Sequence, residues 1–241
     1  MVKTVCRAGV WGVAIAASVV LGCAAEPGRK AEDPQQRAAI KAAVSEYLSG
    51  PAPTEKAKDP VRSDRIAALS KQLYGGVHSR IIADCREILA SDATLGETVG
   101  AWAVIVQSYQ IRGLKGETRD TVIEAIPPIL KKAKDTPTAP PEEKLYAALS
   151  TAQWLYTTLE MPEEAAGMLQ YAMALAPEGE VQGQVRLSLA GAYERSKQYD
   201  KALAAYEQSA KELARLVKNR QQAEAGAQRV KVALAQQQKQ P

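Results

Sequence analysis

The stretch R-L-S-L-A-G-A-Y-E-R-S-K-Q-Y-D-K-A-L-A-A-Y-E-Q-S, residues 186–209, decides the fold. It reads as two short helices back to back. Leu189, Ala192 and Tyr193 share one face of the first, and Ala202, Leu203, Tyr206 and Ala210 share one face of the second. A ruler can be taken from it. Tyr193 is followed nine residues later by Ala202 and sixteen later by Ser209. The same intervals lead from Tyr156 to Ala165 and Ala172, from Tyr109 to Thr118 and Ala125, and from Tyr74 to Ala83 and Ala90. Each copy sets a large aromatic over small residues, which lets two helices approach closely while neighbouring copies bury what one hairpin cannot. The pattern predicts about four helical hairpins.

Composition agrees with a helical reading. With 46% hydrophobic residues in 241, there is ample material for a core. Phe is absent and Ala is abundant, which suits close-packed helices better than a sheet sandwich. Runs of alternating Val, Ile and Thr that would mark strands are missing. The fold class expected is all-α.

The spacing of Tyr, turn and small residues resembles the tetratricopeptide repeat. Trp102, Tyr109 and Gly113 stand as W-x6-Y-x3-G, and the third copy closes with Ala172-Met-Ala-Leu-Ala-Pro177, similar to the repeat's A-x4-P ending. The Tyr intervals are 35, 47 and 37 residues, against about 34 in that family. The Gly position holds His78, Glu160 and Lys197 in the other copies, and Glu87 stands where an apolar residue belongs. The resemblance implies a right-handed solenoid of about four hairpins spanning residues 63–217, preceded by an N-terminal helix. A long polar helix over 218–241, striped by Ala223, Ala227, Val230 and Leu234, would cap it, because a solenoid must end in a face that tolerates water.

The chain opens as a targeting segment. Lys3 and Arg7 precede an apolar run, residues 10–21, too short to span a bilayer comfortably. The run ends in V-L-G-C, residues 20–23, which resembles the bacterial lipobox, so the resemblance implies a signal peptide over 1–22 and lipid attachment at Cys23. Ala24 after the Cys resembles an outer-membrane-directed lipoprotein facing the periplasm. The alternative is an ordinary secretory signal cut near Ala24-Ala25. Loss of Lys3 and Arg7 removes two positive charges and no negative one, so the net charge of +4 falls to +2, too little to argue for nucleic acid. Cys6 leaves with the signal and Cys23 is lipidated, so only Cys85 remains and no internal disulfide can form. Cys85 shares a face with Ile81, Ile82, Ile88 and Leu89 and reads as a small buried hydrophobe.

Residues 23–62 read as a tether carrying one short helix. Asp33 serves as its cap, Pro34 stands at its first position, and Ile40, Val44, Tyr47 and Leu48 form its stripe over about 34–49. The preferred placement is as a cap on the first hairpin, with P-A-P-T-E-K-A-K-D-P, residues 51–60, as linker. Further on, Thr94-Leu-Gly-Glu97 is a capping-box pattern. Pro127-Pro128 should kink or end the descending helix of the second hairpin. Residues 134–141 are an inserted loop, which accounts for the long Tyr109–Tyr156 interval, and Pro141-Glu142-Glu143 opens the next helix. The second helix of the fourth hairpin reads as running on past Leu216.

Catalytic patterns are missing. His78 stands alone at a Gly-flanked turn, without a second His, an H-E-x-x-H or paired Cys spacing. Residues 113–118 lack the G-x4-G-K-[ST] spacing of a phosphate loop, and no G-x-S-x-G elbow exists. The chain reads as no enzyme, with no cofactor and no metal. A binding surface can be placed instead. Residues two before each Tyr lie about 200° round the helix from it, and those one or two after lie about 100° to 200° away. In arrays similar to tetratricopeptide repeats these directions face the concave groove, which gives Gln72, Gln107, Gln110, Trp154, Thr157, Thr158, Glu194 and Arg195. Trp154 would anchor a partner there, or else fill a gap against the 134–141 loop or the N-terminal helix. The function expected is a lipid-anchored adaptor for protein partners in the bacterial cell envelope, serving assembly, secretion or appendage biogenesis. The alternative is a lipoprotein that captures a peptide or glycan fragment in the groove.

Overall fold

Every regular element in the computed structural model is a helix, across the residues it describes, 34–48 and 60–238. The chain is all-α. Residues 1–33, which hold the expected signal segment, Cys23 and the Asp33 cap, residues 49–59, which hold most of the expected linker, and residues 239–241 fall outside the described residues. Ten helices follow in order: α1 (Pro34–Leu48), α2 (Pro60–Gln72), α3 (His78–Ala90), α4 (Leu95–Ile111), α5 (Lys115–Asp135), α6 (Pro141–Thr157), α7 (Pro162–Leu175), α8 (Glu180–Arg195), α9 (Tyr199–Glu212) and α10 (Val217–Gln237). From α4 onward they pair as antiparallel neighbours, α4 with α5, α6 with α7, α8 with α9, and α10 lies back on α9 and α8.

The Tyr ruler describes the last three pairs. The small residues nine and sixteen after the Tyr are buried in each: Thr118 and Ala125, Ala165 and Ala172, Ala202 and Ser209. Four residues past each Tyr, the chain turns through a left-handed conformation: Gly113 at φ 70°, Glu160 at φ 53° and Lys197 at φ 60°. The left-handed step closes each ascending helix by returning downstream amides to its last carbonyls. Leu114 N–H donates to Tyr109 and Gln198 N–H to Tyr193, at 3.1 and 2.9 Å. Gly adopts this geometry freely, and Glu160 and Lys197 do so at a steric cost.

The first pair departs from the ruler. Tyr74 is 88% exposed, and Ala83 and Ala90 are exposed too. Leu69 on α2, Leu73 just after it, and Ile81, Cys85 and Ile88 on α3 point inward instead. Both helices pack chiefly on α4 rather than on each other. Glu87 therefore lies on an outer face, bonded to Arg65 at 2.7 Å, and no apolar residue is needed there.

Helix α4 is enclosed by α2, α3, α5 and α6, and Leu95 through Trp102 are all buried. A buried helix start leaves amides that water cannot satisfy. The predicted capping box supplies part of the answer: Glu97 N–H donates to Thr94 Oγ1 at 3.3 Å and Thr94 N–H to Glu97 Oε2 at 2.8 Å. Glu143, reaching across from α6, accepts the Gly96 N–H at 2.7 Å. A Cβ on Gly96 would fall 2.8 Å from that carboxylate, so only Gly admits the contact. Arg62 of α2 donates to Glu97 Oε2 at 3.1 Å and offsets its buried charge. Three helices are thereby fastened at one polar point. Glu143 lies in the first turn of its own helix and also caps its neighbour.

Of the two outcomes expected at Pro127-Pro128, the ending is excluded: both prolines are exposed within α5, which continues to Asp135 with Ile126, Ile129, Leu130 and Ala133 inward. Burial of that stripe outweighs two lost backbone bonds. The helix after Tyr206 does not run past Leu216: α9 stops at Glu212, and α10 begins anew at Val217. The break lets α10 fold back until Gly226 meets the Tyr206 ring, where a Cβ would come within 2.5 Å. Helix α1 packs across α5 and α7, the descending helices of the second and third pairs, and not on the first.

Candidate interaction surface

The predicted surface residues sit at or near the ends of the ascending helices. Gln72 closes α2, Gln107 and Gln110 lie near the end of α4, Thr157 ends α6 with Thr158 following, and Glu194 and Arg195 end α8. Gln72, Gln107, Gln110, Thr157 and Arg195 are exposed, and Thr158 and Glu194 are half-buried. Trp154 is not. At 5% exposure it belongs to the core, so it offers no anchor to a partner. The 200° rotation assigns it to an outer face only if α6 has one. Because α4, α5, α7 and the neighbouring side chains surround α6, that direction is filled.

Two of the predicted residues are joined into a charged network. Arg195 donates to the Tyr156 carbonyl at 3.3 Å and to Glu160 Oε1 at 3.2 Å, with its guanidinium 5.1 Å from the centre of the Tyr156 ring. Its neighbour Glu194 turns the other way. It accepts from Nε and Nη2 of Arg229, each at 3.0 Å, and from the Tyr206 hydroxyl at 2.6 Å. Burial, then donation to Glu194, raises the Tyr206 pKa, so this phenol stays protonated throughout the physiological range. The Arg229 pKa is also raised, first by its bond to Glu194. Such a set locks α8, α9 and α10 together by charge-assisted bonds. Thr157 and Thr158 lie beside it, with the Thr157 hydroxyl donating to the Gln153 carbonyl at 2.7 Å.

Sequence reasoning missed Arg229, Tyr206 and Glu160 as members of this network. Arg229 lies 35 residues beyond Glu194, and nothing in the local pattern of α10 pairs them. The residue types that carry chemistry elsewhere have structural partners here. His78 opens α3 rather than standing in a turn, with Nδ1 2.7 Å from the hydroxyl of Ser108 on α4. Cys85 is wholly buried, and burial pushes its thiol up to about 12. Met161 and Met168 fill the core. Among the described residues, no group of three or more His, Cys, Asp and Glu side chains is arranged to hold a metal ion. No family model, curated protein or solved structure matches the chain.

Proposed function

We infer that the chain is an adaptor: a right-handed solenoid of tetratricopeptide-like hairpins, lipid-anchored through Cys23, that holds protein partners in the bacterial cell envelope. One observation carries the reading. Three successive hairpins repeat the same burial of small residues nine and sixteen after the Tyr and the same left-handed closure at Gly113, Glu160 and Lys197. That repetition aligns the ends of α4, α6 and α8 and presents Gln107, Gln110, Thr157 and Arg195 outward. Repeat surfaces of this kind recognise extended partners through side chains that the scaffold does not need for its own packing. Burial of Trp154 withdraws the aromatic on which a glycan would stack, which favours the adaptor over glycan capture.

No helix among the described residues is long and apolar enough to cross a membrane. On this reading the anchor is the lipid on Cys23, with residues 24–33 between it and α1. The test is crosslinking in the native host, purification through a C-terminal tag and mass spectrometry. One stoichiometric envelope partner is expected. Its clean absence, with the protein still membrane-bound, would overturn the adaptor reading in favour of ligand capture.

A further inference from the structure

Helices α2, α4, α6 and α8 finish at one end of the body. Arg62 meets Glu97 and Glu143 meets Gly96, all within the first three residues of α2, α4 and α6, so these neighbouring helices start together and run the same way. Arg195, the last residue of α8, bonds the Tyr156 carbonyl near the end of α6. His78, opening α3, bonds Ser108 in the last turn of α4, so the turns after α2 and α4 are neighbours. Around that bond Tyr74 is 88% exposed, Val77 68% and Ile111 41%. Lys71, Arg80 and Arg112 stand exposed beside them in the chain, and none of the three enters an ion pair among the described residues. Residues 67–83 and 106–120 hold five basic side chains against two acidic ones. Their net charge of +3 exceeds the +2 of the whole chain after loss of Lys3 and Arg7.

We propose that this end is a membrane-contact surface, where Tyr74, Val77 and Ile111 enter the interface of an anionic phospholipid bilayer and Lys71, Arg80 and Arg112 bind its phosphates. Reach is one argument. Helix α1 starts at this end as well, because Arg37 donates to the Glu160 carbonyl in the turn after α6, and Lys41 pairs with Glu164 just beyond. The ten residues 24–33 before it span at most about 35 Å. Two helix spacings of about 10 Å lie between the turn after α6 and the turn after α2. A lipid on Cys23 therefore holds a bilayer within reach of Tyr74. Chemistry is the other argument. Tyr favours the headgroup level of a bilayer, and each Lys or Arg near an anionic surface strengthens attachment about fivefold. Three apolar side chains fall short of the roughly 20–30 residues that a stable protein interface takes from each partner. They suffice where a tether already supplies proximity. The contact covers Gln72 and leaves Thr157 and Arg195, at the ends of α6 and α8, to a protein partner. For its reach the proposal rests on the lipid anchor of the adaptor reading.

The test places the photo-crosslinking residue p-benzoylphenylalanine at position 74, or at position 217 as control, in the full chain expressed in its native host. Val217 is exposed too, but it opens α10 at the opposite end, since Arg229, twelve residues on, meets Glu194 near the end of α8. Irradiation of the cells, followed by mass spectrometry of the chain, is expected to give phospholipid adducts at position 74 and at least tenfold fewer at 217. Lys71→Gln combined with Arg112→Gln should lower the yield at 74 by up to roughly 30-fold, about fivefold for each charge. Equal lipid adducts at both positions would overturn the proposal, since the tether alone would then explain them. A protein adduct at 74 in place of lipid would overturn it in favour of a docked partner. A chain acylated at Cys23 with no lipid adduct at 74 would sink the surface and leave the anchor and the adaptor standing. Lipid adducts at 74 on a chain whose mass shows no acyl group would sink the anchor and leave the surface.

Discussion

The α8–α9 pair closes on itself, whereas α2 and α3 close on α4. In the first, Tyr193 is 8% exposed, Ala202 and Ser209 are fully buried, and the Ser209 hydroxyl donates to the Gly183 carbonyl of α8 at 2.9 Å. In the second, the corresponding Tyr74 is 88% exposed, and Ala83 and Ala90 face solvent. The two pairs share a spacing and differ in what surrounds them. An internal pair has neighbours on both sides and must solve its own interface with small residues. The first pair has α4 to lie on, a helix apolar on nearly every face, and so can open its own interface. A spacing is evidence of packing only where the small residues have an aromatic to meet.

The sharpest way to break this comparison is to remove the two tyrosines. Truncating a buried aromatic costs about 3–5 kcal/mol, so Tyr193→Ala should lose a stability of that order in urea unfolding. It should also free Gln170, which bonds the Tyr193 hydroxyl at 2.5 Å. Tyr74→Ala should stay within about 0.5 kcal/mol of wild type, as surface substitutions do. Equal losses would mean that the first pair closes as the fourth does. Next in size is the small residue under each Tyr. Ala202→Leu inserts methylenes into a filled interface and should cost about 1–3 kcal/mol. Ala83→Leu, at the same step of the ruler, should change stability by less than about 0.5 kcal/mol.

Helices and their inward faces were legible because they follow from periodicity alone. The Thr94–Glu97 capping box, the helix start at Pro141 and the Ile81, Cys85 and Ile88 face all stand where the sequence puts them. What was illegible depends on contacts far along the chain. Trp154 reads as outward from its angle to Tyr156, because the angle says nothing of the helices that enclose α6. Glu143 and Gly96, 47 residues apart, meet only in three dimensions. Pro127 and Pro128 should stop a helix in isolation, yet Ile126, Ile129 and Leu130 pay their cost by burial. The predicted surface residues divide in the same way. Exposure of Gln107 and Thr157 follows from helix phase, but the capture of Glu194 by Arg229 and Tyr206 does not.

Cys85 asks whether α3, open on one side, still folds with the rest. Burial raises its thiol from the ordinary 9.0 to about 12. The unfolded chain therefore gives up this proton first, and above pH 9 the folded state binds more protons than the unfolded one. Stability contributed by the neutral thiol is complete below pH 9 and is lost as pH rises toward 12. The loss is up to about 1 kcal/mol by pH 10. Cys85→Ala should show a flatter decline between pH 8.5 and 10, read as the difference in slope between the two proteins. Alkylation of the wild-type thiol at pH 8.5 should proceed no faster than global unfolding. Faster labelling would show that α3 opens alone, and would turn the difference between the two pairs from one of packing into one of stability.

The smallest effect bears on the closure itself, and its value lies in its sign. Lys197 holds a left-handed conformation at φ 60°, which costs a side-chain-bearing residue about 1–2 kcal/mol. Gly relieves that strain but gives back about 0.5–1 kcal/mol as unfolded-state entropy. Lys197→Gly should therefore stabilise the chain by up to about 1 kcal/mol. His78 stands at the same four-residue step from its Tyr but begins a right-handed helix and bonds Ser108. His78→Gly should destabilise by about 1 kcal/mol, from helix propensity and the lost bond. Thermal unfolding of both variants would give shifts of opposite direction. Shifts in the same direction would mean that position four after the Tyr has one conformation in both pairs. The first pair would then be a regular repeat whose Tyr74 happens to face water, and not a pair that has traded its own interface for α4.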